Sequence, residues 1–79
     1  MSLDYAFGVA IKRRRGNLGI SQEELAHRAS LHRTYVSLLE RGQRTATLDT
    51  IIKLAQALRT TGADLLREAE ELASQSEKS

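Results

Sequence analysis

Arg33, Thr34, Ser37 and Leu38 occupy positions i, i+1, i+4 and i+5 of one short segment, a spacing that gathers them on a single helix face. The set joins one guanidinium to small hydroxyl and aliphatic groups and contains no thiol, imidazole or carboxylate. That is equipment for recognition by hydrogen bonding rather than for making bonds. An Arg fork matches the paired acceptors on a guanine edge, and small groups can meet a thymine methyl.

Bond-making chemistry has no comparable support in the chain. There is no cysteine, so disulfides and thiolate metal sites are excluded. His27 and His32 lack the second pair of ligands that a zinc site needs. No Ser/His/Asp, Cys/His or paired-carboxylate arrangement is recognisable, and 79 residues leave little room for a cleft. The sequence therefore argues against an enzyme, a metal, a cofactor or a small-molecule ligand. No apolar run approaches the roughly 20 residues of a membrane span, and the first residues do not read as a signal peptide. The expected setting is the cytoplasm.

The recognition face must be held by something, and the segment Gln22 to Arg41 supplies it. Two helices joined by a tight turn can cross steeply only if a small residue lies where they touch, and Ala26 is placed for that. Leu25, Ala29, Leu31, Val36 and Leu39 are spaced to form the apolar wedge between the two helices. Arg33, Thr34, Ser37 and Leu38 are then left facing outward.

The rest of the chain reads as all-α. Prolines are absent, and apolar residues recur at helical rather than alternating spacing. Five helices are expected. The first runs from Asp4 to Leu18, with Phe7, Ile11, Arg15 and Leu18 on one side and Gly19 at its end. The second covers Gln22 to Ala29, opened by Ser21 with Glu24 completing a capping box. A turn at Ser30-Leu31 leads to the third, Arg33 to Arg41, closed by Gly42. The fourth, Leu48 to Leu58, carries a stripe of Leu48, Ile51, Ile52, Ala55 and Leu58. The fifth starts near Thr60 or Thr61 and presents Leu65, Leu66, Ala69, Leu72 and Ala73. These make a single domain over 1–73, with 74–79 expected as a flexible polar tail.

Charge divides the chain unevenly although the net value is only +2. Met1 to Arg59 holds ten Lys or Arg against five Asp or Glu, or +5; Thr60 to Ser79 holds two against five, or −3. A basic body suits a polyanion.

With Phe7-Gly8, Ile11, Arg15, the run Gly19-Ile20-Ser21-Gln22-Glu23-Glu24-Leu25-Ala26, Leu39-Glu40-Arg41-Gly42 and Leu66, the chain resembles the phage-repressor-type (XRE, or lambda-repressor-like) helix-turn-helix regulators. His32 to Ser37 with Glu40-Arg41 is similar to the controller proteins of restriction–modification systems. The resemblance implies a compact five-helix DNA-binding domain with the motif formed by helices two and three. It implies double-stranded DNA as partner, read in the major groove. By the same resemblance Gln22 contacts phosphate or a base at the half-site edge, and Arg33, Thr34 and Ser37 read bases and clamp phosphate. Tyr35 and Arg44 would touch the backbone, and Leu38 completes the outward face. Arg15 and Glu40 correspond to a structural ion pair. Ser30 stands where glycine is usual, His32 where a better N-cap is expected, and Arg14 at a site usually apolar; Gly16 weakens helix one.

Plainer roles remain open for several of these residues. Gln22 could simply start a helix, Tyr35 pack on a rim, and Arg44 be an ordinary loop residue. The Lys12-Arg13-Arg14-Arg15 run is either a phosphate strip or one inward residue beside a solvated face. His32 could reach phosphate.

Apolar surface left over on helix five, at Leu65, Ala69 and Leu72, is expected to form a two-fold homodimer interface along about 61–73. A dimer would read a pseudo-palindromic operator as a transcription regulator. The alternative is an antitoxin-type protein whose main role is to bind a partner protein. RNA polymerase is a further possible partner, with Glu23, Glu24 and Asp49 as candidate contacts.

Overall fold

The computed structural model describes residues 1–78, with side-chain environments given for residues 1–75. Five helices follow one another: α1 (Leu3–Leu18), α2 (Gln22–Ala29), α3 (Arg33–Glu40), α4 (Leu48–Ala57) and α5 (Gly62–Lys78).

Short-range chemistry sets most of the boundaries. Ser2 Oγ accepts the Tyr5 N–H at 3.1 Å and starts α1; Gly19, at φ 69°, ends it in the left-handed conformation. Ser21 Oγ accepts the Glu24 N–H at 3.0 Å to open α2. The reciprocal half of the expected capping box is not what Glu24 makes: its carboxylate takes Arg28 Nε at 3.0 Å instead. Thr47 and Thr61 cap α4 and α5 in the same way as Ser21, accepting from Thr50 and Asp64.

Thirteen residues drawn from all five helices, together with Leu58 just past α4, make one apolar cluster. Ile11, Leu25, Val36, Leu39, Leu54 and Leu65 are its largest fully enclosed members. Ala26 is 3% exposed and sits where α2 meets α3. Gly8 lets α1 close onto the end of α3, because a Cβ there would collide with the backbone carbonyls of Leu39 and Glu40.

Three expectations need correction. On α4 the inward row is Ile51, Leu54, Ala55 and Leu58, a stricter i, i+3, i+4, i+7 set than the one expected. Leu48 is 80% and Ile52 50% exposed: Leu48 lies beyond the edge of the packed body, and Ile52 is one step off the row. On α5, Leu65 and Ala69 have no exposed surface at all. Both are used up in the monomer core and cannot meet a second copy; of the three residues expected there, only half-buried Leu72 retains surface. Finally, α5 runs on to Lys78 rather than ending near Ala73, since neither Gly nor Pro interrupts 74–78. Of the expected tail, Ser79 lies outside the described residues.

Candidate nucleic-acid interface

The outward face of α3 rests on an inward face that is fully committed. Val36 and Leu39 are closed off completely or nearly so, and Glu40 is buried with them. Arg33 and Thr34 are exposed at the N-terminal end of α3; Tyr35, Ser37 and Leu38 are half-buried along it. Tyr35 packs against the core cluster, so its ring braces the helix while its edge stays accessible.

The turn before α3 departs from common helix chemistry at both positions flagged in the sequence. Ser30 takes the left-handed conformation usual for glycine, at φ 56°. Its strain is offset locally: Ser30 N–H bonds the His27 carbonyl at 3.2 Å, and Leu31 N–H reaches the Ala26 carbonyl at 2.8 Å. His32 precedes α3 without a side-chain cap bond. The first N–H groups of α3 thus have no side-chain acceptor from the cap, and helix N-termini of this kind favour anions.

Behind the helix lies a polar knot. Arg15 Nε meets Glu40 Oε2 at 2.8 Å and Arg15 Nη2 meets Oε1 at 3.1 Å. A third guanidinium bond, Nη1 to the Ile20 carbonyl at 3.0 Å, fixes the turn after α1. The hydrogen bonds that Arg15 donates to Glu40 raise its pKa above the ordinary value, against the opposing effect of burial. Gln22 Nε2 also donates to Glu40 Oε1, at 3.0 Å. One carboxylate therefore ties together the ends of α1 and α3 and the start of α2. Gln22 is held in place while its remaining N–H and its oxygen stay available.

Arg33 has only a loose neighbour, Glu23 Oε2 at 3.8 Å, with both side chains largely in water. An exposed pair at that distance is worth about 0–1 kcal/mol, too little to withhold Arg33 from a base edge. Arg44 is exposed and meets no carboxylate among the described residues. Its loop is anchored on both sides. Gly42, at φ 72°, lies so close to α1 that a Cβ would come 2.7 Å from Tyr5 Cα. Thr45 Oγ1 donates to Asp4 Oδ2 at 2.7 Å.

Arg14, unexpected at its position, pairs with Glu68 of α5 at 2.9 Å. The acids of helix five gave a hint of this in the sequence. Of the acidic candidates for a polymerase contact, Glu24 and Asp49 are held by Arg28 and Lys53 one turn away. Sequence reasoning missed the Gln22–Glu40 bond and the exposure of Leu48 and Ile52. The former joins residues 18 apart and had no local signal; the latter required the rotation of α4 about its axis. No helix among the described residues is long and apolar enough to cross a membrane.

Comparison with known proteins agrees with this geometry. The helix-turn-helix family model matches residues 11–65. The control protein C.BamHI of Bacillus amyloliquefaciens is 44% identical over 61 residues, spanning 76% of this chain and 75% of the relative. The restriction–modification controller protein C.AhdI from Aeromonas hydrophila superposes with a TM-score of 0.77 at 42% identity, covering 78% of this chain and 94% of that one. The clp gene regulator ClgR from Corynebacterium glutamicum gives 0.88 at 30% identity, over 99% and 84%. With the α2–turn–α3 unit, its exposed polar face and these relatives in agreement, the chain belongs to the XRE-type helix-turn-helix family and is a DNA-binding transcription regulator of that kind.

Proposed function

We propose that this chain binds a pseudo-palindromic operator as a homodimer in the cytoplasm, in the manner of a restriction–modification controller. The observation that carries this is the division of α3: one face is enclosed in the core while Arg33 and Thr34 stand exposed at its N-terminal end. Arg33 and Thr34 carry sequence information, with Ser37 and Leu38 bordering them. Gln22, Tyr35 and Arg44 hold the phosphate backbone and set the register.

One recognition helix covers only about 4–5 base pairs; two placed about 34 Å apart read two half-sites. Apolar surface for the second copy is available on α4 and the first half of α5. Leu48 and Ile52 are exposed there, and half-buried Leu66 lines a shallow apolar cleft with Leu3, Ala46 and Ile51. We place the two-fold contact on Leu48, Ile52 and Leu66, with the domain extending through α5 and regulation following dimerisation and site occupancy. The similarity to C.BamHI and C.AhdI supports the controller assignment.

Selection from a random duplex library at about 150 mM salt tests it. Enrichment of a two-fold symmetric motif is expected. No enriched motif, together with capture of a single co-encoded protein in stoichiometric amount, would replace this function with partner binding.

A further inference from the structure

About half of the described Lys and Arg side chains have a carboxylate beside them. Arg14, Arg15, Arg28, Arg33, Lys53 and Arg67 each lie within 4 Å of a carboxylate. Among the described side chains, the cations with no such partner are Lys12, Arg13, Arg41, Arg44 and Arg59. They are not scattered at random. Lys12, Arg13 and Arg41 line one groove of about 530 Å³, with Tyr5, Val9 and Glu40 as its other walls. Arg59 lies elsewhere, beside Arg28 and Lys53.

The single acid in the groove is not free to cancel that charge, since Glu40 is buried and already holds Arg15 and Gln22. Arg41 makes only one long bond, Nε to the Ser37 carbonyl at 3.4 Å, which leaves the other guanidinium N–H groups available. Arg13 stands at the far end, where it also borders Asp64, Glu68 and Glu71 of α5. Asp64 and Glu68 are already paired with Arg67 and Arg14.

The groove adjoins the recognition surface. Arg41 directly follows α3, and the close approach of Gly42 to Tyr5 brings the Arg44 loop against the same end of α1. Tyr5, Val9 and Lys12-Arg13 follow at i, i+4 and i+7/i+8 along one face of α1. Eight residues of helix advance about 12 Å, while a DNA strand advances about 3.4 Å per nucleotide, so the track matches roughly three phosphates. Its side chains are donors suited to phosphate: two guanidinium forks, an ammonium and a half-exposed tyrosine hydroxyl.

We propose that the α1–α3 groove, through Lys12, Arg13 and Arg41 with Tyr5, is a second phosphate track that grips duplex DNA flanking the half-site. This rests on the DNA-binding function above and extends its footprint beyond the recognition helix, with no added sequence preference.

The test uses the full chain and the duplex motif enriched from the random library, prepared with flanks of about two or about ten base pairs. Affinity is read by fluorescence anisotropy across a salt series, with a Lys12→Gln/Arg13→Gln/Arg41→Gln triple variant and a charge-preserving Lys12→Arg/Arg13→Lys/Arg41→Lys control. The wild type is expected to bind the long duplex about tenfold or more tighter than the short one. Its log-affinity against log-salt slope should be steeper by about 5 on the long duplex, as about three phosphates at each of the dimer's two grooves require. The Gln variant should lose both differences yet keep the enriched motif and its melting temperature, and the charge-preserving variant should retain them. Equal loss on both lengths, or a Gln variant indistinguishable from wild type, overturns the track and leaves the groove to an acidic protein partner. Failure to bind any duplex would overturn the DNA-binding function itself, a different result from binding without length dependence.

Discussion

Arg15 grips Glu40 through two hydrogen bonds, 2.8 and 3.1 Å long, at a place where the Glu40 side chain keeps 3% of its exposure. The pair joins α1 to the end of the recognition helix, and Gln22 is fastened to the same carboxylate. Gln22 and the exposed face of α3 thus inherit their positions from a buried charge.

Removing one member should cost more than removing both. Glu40→Ala leaves a part-buried guanidinium without its carboxylate, and about 3 kcal/mol of stability should be lost. The Arg15→Met/Glu40→Met double variant should lose clearly less. Urea denaturation of the four proteins of the cycle measures this, and additive losses would show that the two residues are not coupled.

The pair should also be indifferent to ordinary alkaline conditions. Arg15 has its pKa raised in the fold, so its contribution is complete below the unfolded value and fades only as pH climbs through the higher folded one. Between about pH 7 and pH 10 the coupling energy from the same cycle should stay constant. A steady decline over that window would contradict the assignment.

How much of this could be read beforehand depended on the range of the interaction. The bounds of α2, and those of α3 to within one residue, follow from nearby groups: Ser21 with Glu24, Gly42 past the last turn, and Ala26 at the crossing. How much of the α5 stripe one copy uses up did not follow. Leu65, Leu66, Ala69, Leu72 and Ala73 share one face, and packing against α1 and α4 encloses Leu65 and Ala69 while Leu66, Leu72 and Ala73 keep some surface. The aim of Gln22 was equally hidden, because Glu40 lies 18 residues away. Arg14 appeared anomalous only until Glu68 was brought beside it.

Gly8 offers a stability prediction of another kind. A methyl group there would collide with the carbonyls of Leu39 and Glu40, which are backbone and cannot turn aside. Gly8→Ala should therefore cost about 1–3 kcal/mol by forcing α1 away from α3. Thermal unfolding followed by circular dichroism checks it; an unchanged or raised midpoint would mean that the two helices have slack.

Two apolar regions should respond differently to charge. Leu48→Asp/Ile52→Asp alters exposed positions and should give a helical monomer in sedimentation at tens of micromolar. Leu65→Asp places a carboxylate in the closed core and should abolish folding. A wild-type monomer at that concentration, or a dimer that survives the double change, would remove α4 from the interface.

Arg33 and Arg44 should separate cleanly in binding. Arg33→Ala should cost about 1–3 kcal/mol per half-site and relax the symmetric pair of positions opposite it. Arg44→Ala should weaken all sequences alike and lower the salt slope by about 2, one phosphate contact being lost in each half-site. Titrations on specific and random duplexes distinguish them, and identical behaviour of the two variants would contradict their separate roles.

The central claim, that a dimer reads sequence through Arg33, is tested most directly by library selection on the wild type and Arg33→Ala in parallel. A two-fold symmetric motif in the wild type, with the symmetric pair of positions opposite Arg33 relaxed in the variant, is the result expected. A motif without two-fold symmetry, or one unchanged by losing Arg33, would contradict it.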